Sequence, residues 1–330
     1  MLGDYLQLDP YNLVAVNSCT SAITLVLHLS GVTAGDEVIT TPMTCTATNE
    51  PILHTGARLR WADVDLDTGN IDPSSILPLI NERTKAIVAV HWGGIPCDLD
   101  TLSEIAEKHD CVLIEDAAHA LGASYHERPI GHHGHFVCFS FQAVKLITTG
   151  DGGVLACREP MVAQRARRLR WYGIDRDRRA EFGEDYPIDE LGFKFHMNDI
   201  AAAIGISAMP HLSELLEHRA QIATLYDTEL SSCEGIHLLS RAQHLTSANW
   251  LYTLRVERRN DFRRALAEAG IETSPVHQRN DQYTAFPPLE PDYPLPGLEA
   301  FTQQMVCIPI GHWVTLEDAE RIVSVIREGW

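Results

Sequence analysis

Lys145 is the side chain whose surroundings best suit covalent chemistry. It lies in FSFQAVKLITTGDGG, residues 139–153, between an apolar β-rich run, residues 136–141, and the turn Gly150-Asp151-Gly152-Gly153. That setting suits a side chain reaching into a cleft better than one on a solvated helix face. A lysine whose pKa is lowered by desolvation or by its neighbours keeps a free amine, and such an amine can form a Schiff base with a carbonyl cofactor. Taken alone, Lys145 reads first as an ordinary surface lysine, and it is the company it keeps that favours the cleft.

A second candidate closes the apolar run CVLIED, residues 111–116. A carboxylate at the exit of a buried strand is costly to leave unpaired, so Asp116 calls for a cation. A protonated pyridine nitrogen would serve and would keep the ring an electron sink, the role an Asp takes in pyridoxal phosphate (PLP) sites. A salt bridge or a helix cap is the structural alternative. His119, three residues on, either points into the same cleft or sits on the next turn. Upstream, the β-prone residues 13–17 end in Ser18-Cys19-Thr20-Ser21, and a helical pattern follows with Ile23, Leu27 and Leu29 near one face. Strand, small hydroxylated residues and helix is how an open α/β sheet aims amides and hydroxyls at a phosphate. A plain N-cap fits this stretch as well. The absence of GxGxxG here weakens a nicotinamide reading.

The elements that must hold these residues alternate. Residues 35–41 are a turn feeding a strand, 44–54 a helix, 59–64 a strand and 73–80 a short helix. Residues 85–92, KAIVAVHW, predict a buried strand, and Leu99, Leu102, Ile105 and Ala106 mark the amphipathic helix after it. Repeated units of this kind predict a mainly parallel, doubly covered sheet with ligands at the carboxyl ends of its strands.

Bulk properties narrow the function. The 26 basic and 45 acidic residues give a net charge of −19, which argues against a general nucleic-acid surface while leaving room for a local basic pocket. The start, MLGDY, lacks the pattern of a signal peptide and no run reaches membrane-spanning length, so a cytoplasmic protein without membrane partners is expected. Eight scattered cysteines without a CxxC pair predict reduced, buried small residues. The histidines of Gly131-His132-His133-Gly134-His135 are too tightly spaced on a turn to converge on one metal ion.

The order of these motifs resembles the fold-type I, PLP-dependent sugar-nucleotide aminotransferases of the DegT/DnrJ/StrS family. The matching stretches are VNSCTSAI (16–23), GDEVITTPMTCTATNEPILHTGA (35–57), WADVD (61–65) and VHWGG (90–94), then EDAAHALGA (115–123), FSFQAVKLITTGDGG (139–153) and LGFKFHMNDIAAAIG (191–205). They cover nearly the whole chain in family order. The resemblance implies a large mainly parallel α/β domain, residues 1–214, and a smaller C-terminal α/β domain, residues 215–330. It implies that Lys145 carries PLP as a Schiff base, that Asp116 pairs with the pyridine nitrogen, and that His119 lies near the ring hydroxyl. Thr20, Ser21 and Ser140 fall at the cofactor phosphate, and Lys194 would reach that phosphate from the neighbouring subunit, which implies a homodimer with two shared active sites.

Three departures stand out. Cys45 occupies a position where many members place an aromatic residue over the cofactor ring, so stacking would be weaker or come from elsewhere. Lys194 replaces an Asn of many members. The motifs begin within the first twenty residues, whereas members usually carry a few dozen more, so a helix that helps build the dimer or the substrate site is expected to be missing. Some relatives are sugar 3-dehydratases with histidine in place of the Schiff-base lysine; retaining Lys145 favours transamination. The implied reaction moves an amino group from L-glutamate, through pyridoxamine phosphate, to a keto sugar held as its nucleotide diphosphate. A PLP-dependent dehydratase or lyase, and a non-enzymatic regulator that kept the fold, are the rivals.

Toward the carboxyl end, RARRLRWYGIDRDRR, residues 165–179, reads as a solvated face balanced by Glu181, Glu184 and Asp185, with contact to an anionic nucleotide as the alternative. Residues 197–211 predict a small-residue helix suited to packing against a subunit. A charged helix from about Leu215, a β-prone run at 250–256, a helix at 261–269, a strand after Gly270 and a final amphipathic helix at 316–327 complete the pattern. His277, Arg279 and Asn280, in SPVHQRND before a Pro-rich loop, are candidates for substrate contact, with turn formation as the competing reading.

Overall fold

The structure, a computed structural model, describes residues 1–176, 178, 181 and 187–330. Strands β1 (Leu13–Val16), β2 (Glu37–Thr40), β3 (Arg58–Trp61), β4 (Thr84–Val90) and β5 (Val112–Asp116) alternate with helices. A small hairpin, β6 (Ser124–Tyr125) and β7 (Arg128–Pro129), precedes β8 (Phe136–Ser140) and β9 (Gly153–Cys157). Seven of these strands form one sheet in the order β1-β9-β8-β5-β4-β2-β3. Neighbours from β8 to β3 are parallel, and β9 runs against both β8 and β1.

The sheet is buried on both faces, which is why its strands read as continuous apolar runs. Along β4, Ala86 and Val88 enter one core while Ile87 and Ala89 enter the other. The helix Leu99–Lys108 buries Leu99, Leu102, Ile105 and Ala106, the stripe expected from sequence, and the Asp98 side chain caps its start by accepting from Thr101 N.

A second sheet is built from β10 (Ile236–Leu238), β12 (Tyr252–Val256) and β13 (Met305–Ile308), while the two-residue strand β11 (Leu245–Thr246) joins β6 and β7 instead. Helices Leu212–Leu230, Arg259–Glu268 and Leu316–Glu328 share a third core with it, including Tyr226, Leu254, Phe262, Val306 and Ile322. The strand expected after Gly270 does not form. Ser274 makes one isolated bridge to Cys307. Pro275 then offers no N–H, and His277 at φ 60° ends the extended run.

Much of the basic segment ties elements together. Arg165 grips Glu190 through two nitrogens, and its hydrogen bonds hold that carboxyl down at about 2. Arg167 and Arg170 donate to the carbonyls of Tyr11 and Ala15. Arg178 pairs with Glu181, while Arg179, Glu184 and Asp185 lie outside the described residues. The clustered histidines also have separate packing roles. His132 bonds Leu6 O, His133 meets the Tyr125 ring edge-on, and His135 Nδ1 accepts from Leu113 N.

Candidate active site

Alternation along β5 separates two acids. Glu115 is fully buried and bonds His91 at 2.9 Å; because Cys97 N donates into His91 Nδ1, the ring carries its proton on Nε2 and donates it to Glu115. Asp116, one residue later, sits on the other side at the carboxyl end of the strand. The loop bearing Lys145 joins β8 to β9. Its neck is closed by Phe141 N donating to Gly152 O at 2.8 Å and Thr149 N donating to Phe141 O at 2.9 Å. Gly153 is required at the loop's exit, since a Cβ there would lie 2.6 Å from Cys19 N. Without that side chain, β9 can pass directly against the start of the helix Cys19–Leu29.

These devices converge on a cavity of about 290 Å³ lined by Lys145, Asp116, His119, Thr20, Ser140 and Cys45, with His277 reaching it from the C-terminal region. Asp116 is only 4% exposed and accepts hydrogen bonds from Thr48 Oγ1 at 2.7 Å and Ala118 N at 3.0 Å. Cys19 Sγ also points to it, at 3.8 Å. None of the ion pairs among the described residues includes it. Burial lowers the pKa of Lys145, with the charges of Asp116, Cys19 and Cys45 pulling the other way. Burial also pushes His119 well below the usual histidine value and His277 to about 4, helped in both by the Lys145 charge. Both imidazoles are therefore neutral near pH 7, and His119 Nδ1 and His277 Nε2 are buried without a protein partner.

Other candidates lie elsewhere. Ser21 turns back on the cap, where Ser18 Oγ accepts from Ser21 N and donates to Ser21 Oγ, so Ser18 and Thr20 form the cavity wall instead. Lys194 stands outside this cavity, with Nζ 4.1 Å from the centre of the Trp171 ring. The reading of Arg279 and Asn280 as substrate contacts is corrected in this chain. Arg279 is held by Asp281 and Glu299, and Asn280 is fully buried, accepting from Asn49 and donating to Thr44 O. Asn280 fastens the loop to the helix Thr46–His54 and the turn before it, and Arg279 ties it to the helix Pro296–Gln304, leaving only His277 of that trio on the cavity.

Three residues of the site carried no sequence signal. Thr48, which donates to Asp116, looks in sequence like any helix position. Trp250 lines the cavity, yet in sequence it merely opens a β-prone run. Arg219 is 4% exposed and donates to the carbonyls of Asn249, Trp250 and Ile310 with no carboxylate partner among the described residues, and burial lowers its pKa to about 10. Replacing Arg219 by Leu relieves that burial cost but strands three carbonyls, so chemical denaturation should show a net loss of about 2 kcal/mol. An unchanged midpoint would mean water satisfies those carbonyls.

The residues fit pyridoxal phosphate. One side of the cavity supplies a half-buried amine of lowered pKa, and the strand end supplies a carboxylate in no ion pair among the described residues. The start of an 11-residue helix, with Ser18 and Thr20, supplies an anion-binding wall. A buried, unpartnered Nδ1 on His119 has bonding capacity for a ring substituent.

The model of the DegT/DnrJ/EryC1/StrS aminotransferase family matches residues 2–327. The UDP-4-amino-4-deoxy-L-arabinose–oxoglutarate aminotransferase of Shewanella sediminis is 34% identical over 335 residues, covering 96% of this chain and 85% of that protein. The sugar aminotransferase CalS13 from Micromonospora echinospora superposes with a TM-score of 0.93 at 38% identity, covering 100% of this chain and 90% of that one. The PLP form of Spr1654 from Streptococcus pneumoniae superposes with a TM-score of 0.89 at 29% identity, covering 99% and 88%. With a match that leaves only a few terminal residues uncovered, the chain belongs to the DegT/DnrJ/EryC1/StrS aminotransferase family.

Proposed function

We propose that this chain is a sugar aminotransferase that transfers the amino group of L-glutamate to a keto sugar carried on a nucleotide diphosphate. The observation that carries this reading is the meeting of Lys145 and Asp116 on one cavity beside a helix start. Pyridoxal phosphate is the cofactor, and when bound it supplies an electron sink that stabilises a carbanion next to the exchanging nitrogen. Lys145 would hold it covalently, Asp116 would hold its ring nitrogen protonated, and Thr20 and Ser140 would hold its phosphate. Lys145 Nζ would be the group that moves the proton between the donor's α-carbon and the acceptor, a role its lowered pKa favours near neutral pH. The neutral imidazole of His277 is available to hydrogen-bond the sugar without adding a second cation beside Lys145.

A homodimer accords with the helix Asp199–Ala208, which buries Ala201 and leaves Ile200, Ile204 and Ile206 at 76%, 45% and 60% exposure. In that reading Lys194 serves the partner's site, and sedimentation would test it. The division of the chain at residues 214/215 and a cytoplasmic location belong to the same proposal; eight unpaired cysteines support a reducing compartment. Among the described residues, no helix is long and apolar enough to cross a membrane.

The deciding experiment incubates the enzyme with glutamate and a panel of nucleotide-linked 3-keto and 4-keto sugars. Amino sugar and 2-oxoglutarate formed in equal amounts support transamination. A deoxygenated product without 2-oxoglutarate indicates a lyase, and cofactor binding with no turnover of any donor indicates a regulator.

A further inference from the structure

Trp250 touches the cavity's chemistry at three points. Its ring stacks on His119 with centroids 3.8 Å apart and planes 14° apart. Lys145 Nζ lies 3.9 Å from the centre of its ring. Its Nε1 donates to Val144 O at 3.2 Å, so the indole is tied to the residue immediately before the lysine.

The backbone that presents this indole is fixed from both sides. Ala248 N donates to Gly94 O and Leu251 N to Gly93 O, both at 3.1 Å. That docking needs Gly94 bare, because a Cβ there would lie 2.8 Å from His119 O and 3.2 Å from Asn249 N. From the opposite side, Arg219 donates to the carbonyls of Asn249 and Trp250 at 3.0 Å. A buried arginine spent on a two-residue turn, and Asn249 at φ 49°, indicate a conformation held for its side chain rather than for the chain reversal alone.

We propose that Trp250 is a positioning residue that holds the Lys145 ammonium and the His119 ring on the cavity. A tryptophan face attracts an ammonium through its quadrupole, most strongly where water is excluded. The contact keeps the amine parked within the cavity and stabilises its protonated form. Among the described residues, the other titratable groups that face it or line the same cavity are Asp116, Asp151, Cys19, Cys45, His119 and His277. This assignment rests on Lys145 being the amine that captures the cofactor.

The test compares wild type, Trp250→Leu and Trp250→Phe as full-length chains freed of cofactor, following capture of pyridoxal phosphate by its visible-edge absorbance as a function of pH. Leu keeps the wall apolar but removes the π face and the Nε1 donor, so the midpoint should move acid-ward by about 0.5–1.5 pH units, with capture slower at every pH above it. Phe, which keeps a face, should shift it less. Thermal unfolding of each variant separates this from loss of fold. A wild-type midpoint in Trp250→Leu, with the fold intact, overturns the assignment. Absorbance that survives in Lys145→Ala would instead overturn the reading beneath it.

Discussion

Lys145→Ala, purified as the full-length protein and supplied with pyridoxal phosphate, should show no bound visible-edge absorbance and should lose turnover by on the order of 10⁴-fold or more. In the proposed reading two roles would end at once, since the same nitrogen would both attach the cofactor and move the proton. Lys145→Arg should fail as completely, because a guanidinium keeps the charge but stays protonated and cannot act as the nucleophile. The loss should not come from unfolding. Burial already disfavours the Lys145 ammonium, so removing it relieves a cost rather than breaking an ion pair. An unchanged spectrum in either variant, or turnover within an order of magnitude of wild type, would refute the assignment.

What the sequence made legible was what depends on local order. The helix Leu99–Lys108 buries the four residues its periodicity marks, and Asp116 ends an apolar strand just where parallel topology puts ligands. Lys145 alone reads as a surface lysine, and only its company in the chain, which the structure gathers on one cavity, singles it out. What failed depends on contacts far apart in the chain. Arg279 and Asn280 have the residue types of a substrate loop, but their partners, Glu299 and Asn49, could not be guessed from spacing. Ser21 reads like Thr20 until the capping geometry of Ser18 decides which hydroxyl faces inward. Trp250 meets His119 and Lys145 across more than a hundred residues, and a tryptophan heading a strand looks like core.

Asp116→Asn should leave the fold standing and remove most of the catalysis. The carboxylate is built into a hydroxyl relay, since Thr48 donates its one hydroxyl hydrogen to it at 2.7 Å and so accepts from Thr44 Oγ1 at 2.8 Å. An asparagine can keep its oxygen toward Ala118 N and turn its amide toward Thr48, whose hydroxyl then rotates to Thr44. Denaturation midpoints should therefore stay close to wild type, unlike those of Asp116→Ala, which leaves the Ala118 N–H without its acceptor. The charge has no substitute, because no other carboxylate lines this cavity at the strand end and Asp151 sits on the turn beyond Lys145. If Asp116 serves the ring nitrogen as proposed, that nitrogen would no longer be held protonated, and turnover should fall by about 10²–10³-fold, the scale of a lost preorganised charge. A second signature follows from Lys145, whose pKa is raised by Asp116 against the opposing effect of burial. Neutralising residue 116 removes that support, so the pH midpoint for cofactor capture by Lys145 should move toward acid in Asp116→Asn. Near-normal turnover together with an unmoved midpoint would place the working carboxylate elsewhere.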